Sequence, residues 1–242
     1  MIFPYFKKIL SYLKFLKHNK KKFRYVKNIN SKKYVMIEFF QFYPSIISFS
    51  HYIEVITKKF NVYPVLYDTS LPRSLIRHYL FHIKCYVNPF YYLYKSFGIK
   101  DFYISKSSNH LKKKSVKYYK KNLKNVSKYD LVNLKINNIY IGDLLYDEYL
   151  RSYDKSTINT EKKDLEIFLI KFLENFFYWQ ELIDKNKKKI HTLIISHTVY
   201  AIGIVPRIAS YKNIKIYCVS NSSITRIDKK NKYKYDDAKY FK

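Results

Sequence analysis

Residues 34–40 read YVMIEFF, a continuous apolar run broken only by Glu38. A run of this kind is what a strand covered on both faces presents, with no alternation between a wet and a dry side. Downstream, residues 45–60 place Ile46, Phe49, Ile53 and Ile56 on one side and predict a helix. Residues 61–67 (NVYPVLY) predict a second strand, with Pro64 pointing to an edge position or a bulge. Residues 72–83 and 89–97 predict helices, each opened by a proline near its first turn, and Gly98 stands where a helix-ending glycine belongs. Residues 101–105 (DFYIS) predict the next short strand.

The alternation continues. A lysine-rich helix is expected over about 110–126, followed by residues 134–141 (LKINNIYI), where Asn137 and Asn138 are placed to turn a small hairpin. Gly142 and Asp143 open a helix through about Tyr153. Thr160 starts a long helix with Glu161 and Asp164 in its first turn and lysines 185 and 187–189 at its end, a charge order that complements the helix dipole. Residues 191–196 (HTLIIS) predict a strand, 200–211 a helix and 214–220 (IKIYCVS) another strand. Residues 222–242 show charge without periodicity. Strands alternating with helices over the whole body predict an α/β fold: a Rossmann-like, mainly parallel sheet with right-handed crossovers, flanked by helices.

Ahead of this body lies an amphipathic helix. Ile2, Phe6, Ile9, Leu10, Leu13 and Leu16 fall at helical spacing on one face, Lys7, Lys8, Lys14 and Lys17 fall largely on the other, and Lys20, Lys21 and Lys22 follow. Such a helix either lies in an anionic membrane interface or packs on the domain with its lysines in water. The chain thus divides into a basic helix and linker (1–30), a Rossmann-like domain (31–221) and a charged tail (222–242).

Among the 242 residues, 48% are hydrophobic, which excludes intrinsic disorder, and the net charge of +29 favours anionic partners. The same composition is rich in residues with A/T-rich codons, so genome bias alone can supply many of the lysines. Arginines number only six, and the lysines are spread along the chain instead of gathered beside exposed aromatics, which argues against a nucleic-acid reader. Cys85 and Cys218 match no metal or redox spacing and fit a reducing cytosol. No apolar run approaches the ~20 residues that span a bilayer, and the N-terminal segment lacks the small-residue site of a cleavable signal.

Several chemistries are excluded by motif. The only glycines are Gly98, Gly142 and Gly203, so neither a Gly-x-Gly-x-x-Gly turn nor a P-loop can form. There is no Gly-x-Ser-x-Gly elbow, no His-Glu-x-x-His helix and no Asp-x-Asp pair. His78 and His82 share a helical face but lack a third ligand, so no metal is expected.

Two segments carry candidate chemistry. In residues 141–153 (IGDLLYDEYLRSY), Asp143, Asp147 and Arg151 form one stripe at i, i+4 and i+8. Either Asp143 caps the helix and Asp147 pairs with Arg151, or the carboxylates sit above the sheet and hold hydroxyls or deprotonate one. Residues 196–209 (SHTVYAIGIVPRIA) directly follow an apolar strand, so Ser196, His197 and Thr198 belong at its carboxyl end, where open α/β sheets bind ligands. His197 there is either a base or orienting group, or a satisfied histidine at a turn. Arg207 either reaches a phosphate or covers the sheet edge.

Taken together, these two segments and the strand at 214–220 resemble a family of surface-carbohydrate and capsule-polysaccharide biosynthesis proteins, similar to glycosyltransferases of the GT-B type. The likeness spans about residues 34–220. It is clearest at Gly142, Asp143, Tyr146, Asp147, Tyr149, Leu150, Arg151, His197, Tyr200, Gly203, Arg207 and Ala209. In such proteins two Rossmann-like domains face across a cleft, the first handling the acceptor and the second the nucleotide-sugar donor. The resemblance implies Asp143, Asp147 and His197 as catalytic residues, and Arg151, Ser196, Tyr200 and Arg207 as substrate-binding residues, with no cofactor. The partners it implies are a lipid- or polymer-linked sugar acceptor of capsule or lipopolysaccharide assembly, and a donor held by a missing or separate domain. The expected location is the cytoplasm, peripheral on the inner membrane face through residues 2–22. The competing expectation is a non-catalytic binding or assembly module, the remnant of a split gene.

Overall fold

A computed structural model of the chain describes residues 3–73, 89–158, 163–220 and 223–228. Six strands form one sheet in the order β3-β2-β1-β6-β7-β8: β1 (Tyr34–Glu38), β2 (Tyr63–Arg73), β3 (Asp101–Lys106), β6 (Ile190–Ile195), β7 (Lys215–Val219) and β8 (Ile224–Ile227). The first five run parallel and β8 pairs antiparallel with β7. The α/β fold with a mostly parallel sheet, expected from the alternation of elements, is therefore observed.

Alternate side chains of each strand feed two separate cores, which is why the central strands carry no polar face. Val35 and Ile37 of β1 pack with Leu66 and Ile194 under α1 (Phe3–Lys22), α2 (Tyr43–Phe60) and α3 (Pro89–Lys95). Tyr34 and Met36 face the other way, toward α4 (Asn109–Asn122), α5 (Lys128–Val132), α6 (Gly142–Tyr153), α7 (Lys163–Asn186) and α8 (Ile204–Tyr211). Trp179 of α7 is fully buried there, edge-on to Tyr67 of β2 at 5.6 Å. Crossovers change face between β3 and β6, so the chain winds outward in both directions from the β1–β6 pair.

Several boundaries differ from expectation. β2 runs through Arg73, so Pro72, expected to open a helix, lies within a strand; the rest of that helix, with His78, His82 and Cys85, falls outside the described residues. Pro64 sits near the start of β2, an inner strand, where its missing N–H costs least. Residues 224–227, assigned to a charged tail, instead form β8, because Ile227 supplies one buried apolar anchor among three exposed residues. Thr160 and Glu161 lie outside the described residues.

The expected hairpin is present as β4 (Lys135–Ile136) and β5 (Ile139–Tyr140). Its turn residues Asn137 and Asn138 have φ of 51° and 64°, the left-handed pair of a tight I′-type turn. Asn61 and Asn213 take φ of 50° and 59° at the ends of α2 and α8, positions usually filled by glycine. α1 docks through Tyr12, Phe15 and Leu16, with the Tyr12 hydroxyl donating to the Pro89 carbonyl at 2.6 Å. Leu10 and Leu13 are not on that stripe and remain about half exposed, at 45% and 52%.

Candidate functional site

Winding outward from β1 and β6 makes their carboxyl ends the switch point of the sheet, the place at which open α/β sheets receive ligands. Glu38 is the last residue of β1 and is 3% exposed. A carboxylate so placed must be satisfied by neighbours, and Ser196, the first residue beyond β6, supplies them. The Ser196 backbone N–H donates to Glu38 Oε2 at 2.7 Å, and its hydroxyl lies 2.9 Å from both carboxylate oxygens. His197 Nδ1 makes a short contact with Ser196 Oγ and stands 3.8 Å from Glu38 Oε1. Below them the buried Cys218 thiol of β7 donates to the Ser196 carbonyl at 3.2 Å.

Burial pushes the Glu38 carboxyl up to about 7, the two Ser196 hydrogen bonds hold it down in part, and the neighbouring Asp68 charge adds to the rise. A hydroxyl has one proton to give. With the Ser196 proton on ionised Glu38, His197 Nδ1 must carry a hydrogen that it donates to Ser196 Oγ, and in the neutral imidazole Nε2 then bears the lone pair. The result is a directed chain from imidazole through hydroxyl to a carboxylate poised near neutrality. Phe40 meets the His197 ring edge-on at 5.4 Å. The Phe40 backbone is in turn held by the buried Tyr94 hydroxyl, which donates to its carbonyl at 2.9 Å and accepts its N–H at 3.2 Å.

The second constellation lies where α6 packs on the turn after β6. Arg207, 3% exposed, makes a two-pronged pair with Asp143 and donates to the Tyr140 carbonyl at 2.9 Å. Asp147 carries a carboxyl raised by partial burial and by Asp143, with Arg207 pulling it down. Neither local expectation for this helix holds: Asp143 pairs with Arg207 instead of capping, and Arg151 pairs with Glu148 at 2.9 Å, not with Asp147. Glu148 is buried and also accepts the Ala201 N–H at 3.0 Å and the Ser152 hydroxyl at 3.1 Å, tying α6 to the turn. The Arg151 guanidinium stacks on the Tyr200 ring at 4.3 Å, and Tyr200 is held at φ 55°.

The two segments singled out in the sequence therefore meet, and Gly203 allows them to, while Gly142 lets α6 start tight against α5. A Cβ on Gly203 would lie 2.3 Å from the Thr198 carbonyl oxygen and 2.6 Å from Leu144; one on Gly142 would lie 2.1 Å from the Val132 carbonyl oxygen. Ser196 and His197 stand at the carboxyl end of β6 as expected. The carboxylate brought to them is Glu38, which sequence reasoning passed over as an interruption in an apolar strand. A single charge at the last position of an otherwise apolar central strand was the available signal. Among the described residues no cluster of three metal-ligating side chains exists, and no helix is long and apolar enough to cross a membrane. No protein-family model, curated protein or solved structure matches the chain.

Proposed function

We propose that this chain is the acceptor-side half of a sugar-transferring protein of bacterial surface-polysaccharide assembly, with its working site at the carboxyl ends of β1 and β6. The observation that carries the reading is the His197–Ser196–Glu38 chain: a buried carboxyl raised to about 7, linked through a hydroxyl to an imidazole at the sheet's switch point. An acceptor hydroxyl docked there gives its proton to His197 Nε2. The Nδ1 proton passes to Ser196 and the Ser196 proton to Glu38. The acceptor oxygen forms its bond to the anomeric carbon as the nucleotide leaves with the electron pair of the broken bond. The donor of the transferred sugar is a nucleotide-sugar. Asp143 and Arg207 fix α6 against the turn, and Arg151 with Tyr200 lines the approach. The acceptor is lipid- or polymer-linked, and α1, with half-exposed Leu10 and Leu13 beside exposed Lys14 and Lys17, keeps the protein at the cytoplasmic membrane face.

Saturation-transfer NMR of the full chain with capsule-type oligosaccharides and, separately, uridine diphosphate-sugars tests this reading. Oligosaccharide binding that is lost in Glu38→Gln and His197→Ala, with no response to the nucleotide-sugars, is expected. Absence of oligosaccharide binding, or binding unchanged in both variants, overturns it.

A further inference from the structure

The opposite, amino-terminal edge of the sheet carries a second feature. Segments leading into three adjacent strands, β1, β6 and β7, converge on a cavity of about 200 Å³. Lys33 precedes β1, Lys187 and Lys188 lie in the turn closing α7, Lys212 follows α8, Lys215 opens β7, and His191 stands in the wall. The convergence is built by the fold: the Tyr34 N–H donates to the Lys189 carbonyl at 2.9 Å, pinning the lysine-bearing turn against the start of β1. Of these five lysines, only Lys212 has a carboxylate partner among the described residues, Asp184 at 2.5 Å.

Five lysines line this one small space, and a single paired acid offsets their summed positive charge. Genome bias accounts for many lysines, but not for the gathering of lysines from three separate segments around one cavity. The wall is also shaped: the His191 ring packs at a 37° tilt against Phe60 with centroids 4.4 Å apart, Lys215 lies over the Phe60 ring at 5.8 Å, and Thr192 Oγ1 meets His191 Nδ1 at 2.8 Å. The field registers on His191, whose imidazole is held below its usual range by burial and then by Lys215 and Lys33. At ~30 Å³ per water the cavity has room for roughly six waters, the scale of one or two phosphoryl groups and not of a sugar nucleotide.

We infer that this lysine-lined cavity binds a compact phosphate anion, a phosphomonoester or diphosphate, at the sheet edge opposite Glu38. Ammonium groups serve phosphate as mobile point charges, and a doubly charged anion offsets part of the summed charge of the lining lysines. The inference stands independently of the sugar-transfer reading.

The test follows the His191 Cε1–H resonance of the full chain through a pH titration, with and without inorganic pyrophosphate at constant ionic strength. A saturable shift and a rise of the His191 midpoint toward its usual range are expected. The Lys187→Gln/Lys215→Gln variant should weaken pyrophosphate about tenfold while unfolding at an unchanged temperature. Phosphatidic acid vesicles separate the sources: sedimentation that pyrophosphate competes away assigns a lipid headgroup, and pyrophosphate binding without sedimentation assigns a free ligand. A His191 resonance indifferent to pyrophosphate, or a response matched by sodium chloride or unchanged in the double variant, overturns the proposal.

Discussion

Ser196 turns both of its proton donors on Glu38, the N–H at 2.7 Å and the hydroxyl at 2.9 Å, and so stitches the carboxyl ends of β6 and β1 together. Only the hydroxyl can be removed by substitution. Ser196→Ala is expected to cost about 1–2 kcal/mol at pH 8, where Glu38 is ionised, and distinctly less at pH 5, where it is not. Urea unfolding at the two pH values reads the difference; equal losses at both would place the bond outside the ionised state.

Glu38 itself sets a pH dependence with a definite sign. Its folded carboxyl titrates near 7 against an ordinary value of 4.5, so folding takes up a proton between those limits. The contribution is intact below about pH 4.5 and is lost as pH rises through about 7, by roughly 3 kcal/mol at most. Glu38→Gln should flatten that decline. The difference between wild type and variant isolates Glu38 from His191, whose lowered imidazole pulls stability the opposite way. Parallel profiles for the two proteins would contradict the raised carboxyl.

Arg207 and Asp143 form an unequal pair, the guanidinium 3% and the carboxylate 34% exposed. Asp143→Asn strands a buried cation and should cost about 2–3 kcal/mol, less than the ~3–5 of a wholly buried pair. Adding Arg207→Met should recover part of that loss. A double-mutant cycle by chemical denaturation measures the coupling, which is absent if Tyr140 alone satisfies the guanidinium.

Gly203 is required by space and not by its torsion. Gly203→Ala forces apart the Thr198 carbonyl and Leu144, with an expected loss of about 2–3 kcal/mol and a lower unfolding temperature. Because the displaced carbonyl is next to His197, the His197 ring resonances should shift as well. A variant with wild-type stability would show that α6 and the turn can separate without cost.

Much of the architecture was legible in the residues. The apolar run at 34–40, the capping glycine at 98 and the paired asparagines at 137–138 all act over short range, and local physics decided them. β8 was not legible, since ITRI has one inward side chain and owes its state to the neighbouring strand. The site was half legible. Ser196 and His197 follow from their position after an apolar strand, but Glu38 lies 158 residues away from Ser196, and only the parallel pairing of β1 with β6 joins them. The partner of Asp143 was missed for a related reason: helical spacing names the neighbours along α6 and is blind to Arg207 arriving from elsewhere, while Arg151 pairs with Glu148, three residues back on the same helix, instead of Asp147.

The left-handed asparagines at 61, 137, 138 and 213 have a thermodynamic consequence beyond the turns they make. A chain with three glycines among 242 residues has fewer backbone conformations open to it when denatured than one that fills such corners with glycine. Each asparagine accepts a small torsional penalty in the native protein and, in exchange, narrows the ensemble from which folding starts. Part of this protein's resistance to unfolding therefore resides in the disordered chain, invisible among its native contacts.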